Sequence, residues 1–155
     1  MVSRLYLDTS VFGALFDLED PGRVEVTREF LRRISAGKME GYISVLLLDE
    51  VAQAPADLRA GLEEAVRKAG PRVLEETPDA LSLSAAYLEA GLVPPAFRDD
   101  ARHIACASVH DMDAVVSWNF RHMVNLERKR LVHSVNVRLG YRLLDIVSPW
   151  EVAYV

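Results

Sequence analysis

The stretch Arg4-Leu5-Tyr6-Leu7-Asp8-Thr9-Ser10 combines a short apolar run with polar residues that can begin a helix, and the same combination recurs along the chain. Its first part is a short strand-like run that ends at an acid. Thr9 or Ser10 can cap the helix that we predict for residues 11–16. We therefore expect Asp8 to lie at the carboxyl end of a first strand.

The same order of strand, polar residue and helix continues to the end of the sequence. Further strands are predicted at residues 42–45, 73–75, 113–117 and 144–147, with helices at 24–36, 46–54, 56–68, 78–90, 99–109 and 126–139. The segment 17–22 is predicted to be a loop, because it carries acids together with Pro21 and Gly22. Strands that alternate with helices indicate a parallel sheet covered by helices on both faces. We expect one α/β domain over residues 1–155.

Composition limits the function classes. Half of the 155 residues are apolar and 26% are charged, which is typical of a globular protein. The single cysteine, Cys106, allows no internal disulfide and suits a reducing compartment. Residues 1–5 show no leader signature, and no apolar run has membrane-spanning length, so we expect a cytoplasmic protein. The net charge of −5 argues against binding nucleic acid by bulk electrostatics, so a nuclease would need a local site.

Acids fall near the carboxyl ends of the predicted strands, where parallel sheets bind ligands. Asp8 follows the first strand, Asp49 and Glu50 follow the second, and Asp99 and Asp100 open a helix. Taken singly, each has a simpler explanation as a helix cap, a helix-dipole acid or a solvated side chain. Taken together, the carboxylates would repel one another unless a cation compensates them. Oxygen ligands without a His/Cys cluster favour Mg²⁺ or Mn²⁺.

Five motifs in this order resemble those of PIN-domain ribonucleases, most closely the toxins of VapBC-type toxin–antitoxin pairs. They are Tyr6-Leu7-Asp8-Thr9-Ser10-Val11-Phe12, Ile43-Ser44-Val45-Leu46-Leu47-Leu48-Asp49-Glu50-Val51, Asp100-Ala101-Arg102-His103-Ile104-Ala105-Cys106-Ala107, Val115-Val116-Ser117-Trp118-Asn119-Phe120 and Ile146-Val147-Ser148-Pro149-Trp150-Glu151. The resemblance implies a three-layer α/β/α fold, a metal-dependent endoribonuclease and a homodimer. It also implies that Asp8, Glu50 and Asp100 are the catalytic, metal-binding acids. The fourth motif usually ends in an acid, and here Asn119 stands in that place.

Neighbouring residues are candidates for supporting roles. His103, one helical turn after Asp100, is either a structural histidine or a residue that orients Asp100 or contacts phosphate. Ser117 follows the fourth strand beside Asn119, Asp99 is an alternative to Asp100, and a hydroxyl of Thr9 or Ser10 could support a metal-bound water. Candidate RNA-binding residues are Trp118, Arg121, Arg128, Lys129 and Arg130, with core packing for Trp118 and a solvated basic helix as the alternatives.

Two other readings stay open from sequence alone. A PIN-like binding module that has lost catalysis is favoured by Asn119. A phosphatase or phosphotransfer receiver also places aspartates at strand ends, but residues 75–77 and 148–149 do not supply the groups that it needs. A toxin implies an antitoxin, for which we expect an Arg or Lys inserted near the acids. We also expect it to cover the stripe Val26, Phe30 and Ile34, unless that stripe is ordinary core.

Overall fold

The computed structural model describes residues 2–155 and places five strands in one sheet. The order across the sheet is β3-β2-β1-β4-β5, and every neighbouring pair is parallel. The α/β class and the parallel sheet of about five strands are therefore confirmed. The strands are β1 (Arg4–Leu7), β2 (Glu40–Ser44), β3 (Arg72–Leu74), β4 (Ala114–Val116) and β5 (Asp145–Val147).

Helices connect the strands and cover both faces of the sheet, giving the three-layer α/β/α arrangement. No helix within residues 2–155 has both the length and the apolar character needed to cross a membrane. Short 3₁₀ turns at Ala14–Phe16 and Pro95–Phe97 precede the second and sixth helices. The helices are α1 (Thr9–Gly13), α2 (Pro21–Ser35), α3 (Val45–Ala52), α4 (Ala56–Ala69), α5 (Pro78–Glu89), α6 (Arg98–Val109), α7 (Leu126–Leu139) and α8 (Pro149–Val152).

Capping explains two differences from the sequence prediction. Helix α2 begins at Pro21, inside the predicted loop, because the Asp20 carboxylate accepts the N–H of Arg23 at 3.1 Å. Proline suits the first helical position, where its missing N–H would have had no partner. Helix α8 was not predicted, and it is held by a capping box between Ser148 and Glu151.

Each face of the sheet has its own core because side chains alternate along β1. Leu5 and Leu7 pack on one face with residues of α1, α2 and α4, whereas Tyr6 packs on the other with residues of α5, α6 and α7. The predicted partner-binding stripe of α2 lies in the first core, where it packs on the sheet. The expectation that a partner covers this stripe is therefore wrong, since all three of its members are buried: Val26, Phe30 and Ile34.

The strand order creates a crevice at the carboxyl edge of the sheet. The chain leaves β1 toward β2 and β3, then returns to β4 on the other side of β1. At such a switch point the connections after the two central strands diverge and leave room for a ligand. Asp8 follows β1 and Ser117 follows β4, so both lie at this crevice.

Candidate active site

Asp8 is buried at the crevice and is held by two serine hydroxyls. Its Oδ1 accepts a hydrogen bond from Ser10 at 2.5 Å, and its Oδ2 accepts one from Ser117 at 2.7 Å. Asp8 occupies the N-cap position of α1, yet its side chain makes no capping hydrogen bond. The cap explanation for Asp8 is therefore wrong, as is the prediction that Thr9 or Ser10 caps this helix.

The two serines are themselves fixed by the backbone that follows β4. Ser10 Oγ accepts the N–H of Trp118, and Ser117 Oγ accepts the N–H of Asn119, each at 2.9 Å. Each hydroxyl thus donates to Asp8 and accepts from the main chain, which fixes its orientation. The position of the carboxylate is set by this arrangement.

Asp100 lies near the start of α6 and meets the segment after β4. Its Oδ2 accepts a hydrogen bond from Asn119 Nδ2 at 3.3 Å and lies 3.1 Å from Nδ1 of His122. Asn119 Oδ1 accepts the N–H of His122 at 2.9 Å, which turns its NH₂ group toward Asp100. Asn119 is therefore a hydrogen-bond donor to Asp100 in this structure.

The neighbouring acid, Asp99, lies outside this group. Its carboxylate binds Arg102 at 2.9 Å, and Arg102 also binds Glu76 at 2.6 Å. Of the two adjacent aspartates, the structure brings only Asp100 to the crevice.

Glu50 is held by a buried chain of polar side chains. Its Oε1 lies 2.5 Å from Nε2 of His103, whose Nδ1 lies 2.6 Å from the hydroxyl of Tyr6. The Tyr6 hydroxyl also forms a hydrogen bond with the Ser44 hydroxyl at 2.8 Å. His103 is only 2% exposed, so it cannot reach a phosphate, and its carboxylate partner is Glu50 instead of Asp100. Of the two alternatives for His103, the structure therefore supports the buried structural histidine and does not support a contact with Asp100 or phosphate.

The three carboxylates influence one another electrostatically. Burial raises the pKa of Asp8, and repulsion from Asp100 raises it further, against the opposing effects of His103 and the two serine hydrogen bonds. Burial also raises the pKa of Asp100, with a smaller contribution from Glu50, although His122 opposes both. Desolvation is the largest cause in each case, so the charged carboxylates lack full compensation from the protein.

The acids suit a hard cation in chemical type but do not already form a metal cage. No group of three His, Cys, Asp or Glu side chains in the described part of the chain is arranged to hold a metal ion. Each carboxylate is engaged by protein donors instead. Carboxylate oxygens are nevertheless the donors that Mg²⁺ and Mn²⁺ prefer, and buried acids with raised pKa values favour a nearby positive charge.

Comparison with known proteins supports the fold. No protein-family model matches the chain, and no curated protein matches it. The fold is shared by a chain in the crystal structure of VapBC2 from Rickettsia felis, which was determined bound to a DNA fragment from the VapBC2 promoter. The TM-score is 0.57 at 10% sequence identity, and the match covers 94% of this chain and 98% of that chain. A likeness at this identity establishes the fold alone.

The structure gives the surroundings of two residues with predicted supporting roles, Trp118 and Thr9. Trp118 is 5% exposed, lies in the core on one face of the sheet, and its indole N–H donates to Thr27. Of the two alternatives for Trp118, the structure therefore supports core packing over stacking on a base. The hydroxyl of Thr9 is buried without a hydrogen-bond partner among residues 2–155. It is therefore a free polar group beside Asp8.

The predicted basic patch is divided in the structure. Lys129 binds Asp145 at 3.3 Å, and Asp145 begins β5, so Lys129 lies toward the edge of the sheet opposite the acids. Arg128 is partly buried, whereas Arg121 and Arg130 are exposed. Of these basic residues, only Arg121 is close in sequence to Ser117 and Asn119, which bind Asp8 and Asp100.

Sequence reasoning missed several residues of the site. The sequence analysis placed Tyr6 only in a strand and gave His122 no role at the acids. A signal for Tyr6 was present, because residues two apart on a strand share a face and Tyr6 precedes Asp8 by two. The link from His122 to Asp100 has no comparable local signal, since 22 residues separate them.

Proposed function

We propose that this protein is a divalent-metal-dependent endoribonuclease of the PIN type, acting as the toxin of a toxin–antitoxin pair. The observation that carries the proposal is a set of hydrogen bonds that links three acids from separate segments. Ser117 binds Asp8, and Asn119, two residues further on, binds Asp100. Glu50 binds His103, which lies one helical turn after Asp100 on α6. Each carboxylate is held by its own set of hydrogen-bonding partners. The shared fold with a chain of VapBC2 is consistent with this function.

The residues of the crevice have distinct roles in the proposed reaction. Asp8, Asp100 and Glu50 would hold Mg²⁺ or Mn²⁺, which supplies charge neutralisation at the phosphate and lowers the pKa of a water. Ser10 and Ser117 orient Asp8, and His103 orients Glu50. These contacts hold the acids before substrate arrives, so little reorganisation is needed during cleavage.

Asn119 and His122 complete the crevice on the side of Asp100. Both contact Oδ2 of Asp100, which leaves Oδ1 without a side-chain partner within residues 2–155. An amide brings no charge, so the site has three carboxylates where the family pattern has four. We therefore expect one metal ion.

Cleavage of single-stranded RNA by the purified protein tests the proposal. Asp8→Asn and Asp100→Asn should abolish cleavage in Mg²⁺ or Mn²⁺, and EDTA should abolish it in the wild type. Asp99→Asn is the matched control, because it removes an adjacent carboxylate that binds Arg102 away from the crevice. Equal loss of activity in Asp99→Asn and Asp100→Asn would contradict the assigned site.

An inactive binding module is the second candidate, and the orientation of Asn119 favours it. Its NH₂ group faces Asp100, where the family pattern has an acid. In that case folded wild-type protein binds RNA without cutting it. Cleavage would then be gained by Asn119→Asp, which adds the fourth carboxylate.

We also propose an antitoxin partner and a homodimer. The antitoxin would place an Arg or Lys near the acids, since a guanidinium can pair bidentately with carboxylates. An apolar segment of the antitoxin would occupy the open groove of about 580 Å³ between α2 and α4, which Arg28, Arg32 and Lys68 help to line.

Expression of the protein alone tests the toxin assignment, and it should arrest growth and degrade RNA. Light scattering tests the homodimer and should give the mass of two chains. Normal growth with soluble, folded protein would contradict the toxin assignment.

A further inference from the structure

Two exposed Phe-Arg pairs flank the acids at the crevice. Phe97 and Phe120 are 45% and 42% exposed, and Arg98 and Arg121, which follow them, are also exposed. The first pair lies just before Asp100 at the start of α6. The second directly follows Asn119. The two pairs therefore approach the Asp100–Asn119 hydrogen bond from two different segments.

A buried ring supports each exposed phenylalanine. The Phe97 ring lies with its centroid 4.3 Å from that of His122, the residue that contacts Asp100. The Phe120 ring lies 6.2 Å from that of Trp118 in an edge-on arrangement, and the Arg23 guanidinium lies 5.5 Å from the Phe120 centroid. Both rings are thus held in position from inside while part of their surface stays open to solvent.

The two arginines carry uncompensated charge. Within residues 2–155, neither Arg98 nor Arg121 forms an ion pair, whereas Arg23, Arg102 and other arginines do. Other arginines, such as Arg59 and Arg130, also form no ion pair within residues 2–155, but Arg98 and Arg121 differ from them in position, because each lies two residues from Asp100 or Asn119. Aromatic rings with adjacent cations are the groups that hold unpaired bases and their phosphates.

We propose that Phe97-Arg98 and Phe120-Arg121 bind single-stranded RNA on the two sides of the phosphodiester bond that is cut. The phenylalanines stack on unpaired bases, and the arginines contact phosphates. This proposal rests on the proposed function, because it takes the acids as the point of cleavage. An apolar peptide is a poorer match, since Asp100, Asn119 and the two arginines interrupt the apolar surface.

RNA binding can be measured separately from cleavage in an Asp8→Asn background. A fluorescently labelled 12-residue single-stranded RNA is titrated in Mg²⁺, and anisotropy gives the Kd. Phe97→Ala and Phe120→Ala should each weaken binding roughly 5- to 150-fold, the range that corresponds to losing one stacked base. Phe97→Trp and Phe120→Trp should retain affinity, since a larger ring can still stack.

The salt dependence of RNA affinity distinguishes the charge contribution of the arginines from the stacking contribution of the phenylalanines. Arg98→Gln and Arg121→Gln should each lower the slope of log Kd against log salt by about 0.7, the value for one phosphate contact on a single strand. The phenylalanine variants should leave that slope unchanged. Tyr154→Ala is the matched control, because Tyr154 is an aromatic residue that is 63% exposed, and its neighbours Ala153 and Val155 are bound by Arg33 near the end of α2, away from the acids. It should bind RNA normally.

Several results would overturn the inference. These are unchanged RNA affinity in folded Phe97→Ala and Phe120→Ala, equal losses on duplex and single-stranded RNA, or no RNA binding at all. A change of oligomer mass in Phe120→Ala would assign that ring to an interface between copies. If wild type cuts no RNA but the binding pattern is as expected, the proposed function fails and the inference stands. If it cuts RNA without this pattern, the inference alone fails.

Discussion

Asp8, the proposed metal ligand, is buried at the crevice, and its charge weakens the fold that holds it. Burial raises its pKa above the ordinary value of 3.8, so the charged form is disfavoured in the folded protein. A raised folded-state pKa contributes stability that is fully present below the unfolded value and is lost as pH rises through the folded value. Above its folded-state pKa, and without metal, ionised Asp8 therefore destabilises the fold.

Because the charge of buried Asp8 destabilises the fold, Asp8→Asn is expected to affect stability in a definite direction. In EDTA at pH 7 the variant should melt no lower than the wild type, because a buried negative charge has been removed. The advantage of the variant should shrink as pH falls through the raised folded-state pKa toward the ordinary value of 3.8, because the folded wild type then holds its carboxyl protonated. Thermal unfolding followed by circular dichroism across this range measures the difference. A variant that melts clearly lower at pH 7 would show that Asp8 is a structural residue.

Tyr6 connects core stability to the site through His103 and Ser44. Tyr6→Phe should cost about 1–3 kcal/mol of unfolding free energy, since it leaves buried polar groups without a partner. It should also lower kcat, because His103 then holds Glu50 less firmly.

Tyr87→Phe is the matched control for this prediction. Tyr87 is equally buried and its hydroxyl contacts Ser108 and Asn136, away from the acids. Urea denaturation should give both variants a similar cost, whereas RNA cleavage should fall only in Tyr6→Phe. An equal loss of kcat in both variants would mean that Tyr6 acts through general stability.

At the scale of single elements, helix starts were less predictable than helix positions. The apolar spacing located α2 correctly, but its first turn depends on the Asp20 cap and on Pro21. Asp20 also pairs with Arg23 at 3.2 Å, so one side chain both caps the helix and fixes the cation beside Trp118.

Asp20→Ala should therefore destabilise the protein by about 0.5–2 kcal/mol, the usual cost of losing an N-cap side chain. Glu25→Ala, an exposed substitution within the same helix, should change stability much less. Chemical denaturation of both variants measures this. Equal stability of Asp20→Ala and wild type would show that Pro21 alone suffices to begin α2.

At the scale of the whole molecule, the strand order makes the site. Because β1 lies between β2 and β4, the segments that follow β1 and β4 meet, and α6 brings Asp100 to them. A ligand bound by groups from several segments stabilises the whole fold.

Mn²⁺ should therefore raise the melting temperature of the wild type at pH 7. At 100 times the dissociation constant the gain corresponds to about 2.7 kcal/mol. Asp8→Asn and Asp100→Asn should lose this gain, and Asp99→Asn should keep it. NaCl at matched ionic strength controls for screening. Equal gains in all four proteins would place metal binding elsewhere.

The sequence by itself determined the fold class and the acids. Alternating apolar runs and helices predict a parallel sheet, and the position of Asp8 after a strand follows from the local pattern around it. These are short-range properties, because residue spacing and capping act over a few neighbours.

Only the tertiary structure decided how the side chains are used. It selected Asp100 over Asp99, paired His103 with Glu50, turned the Asn119 amide toward Asp100 and buried Trp118. The contacts that decide these points join residues that are far apart in sequence, such as Glu50 with His103 and Asp8 with Ser117. Packing of helices on the sheet sets which side chains meet across such distances, and no local pattern carries that information.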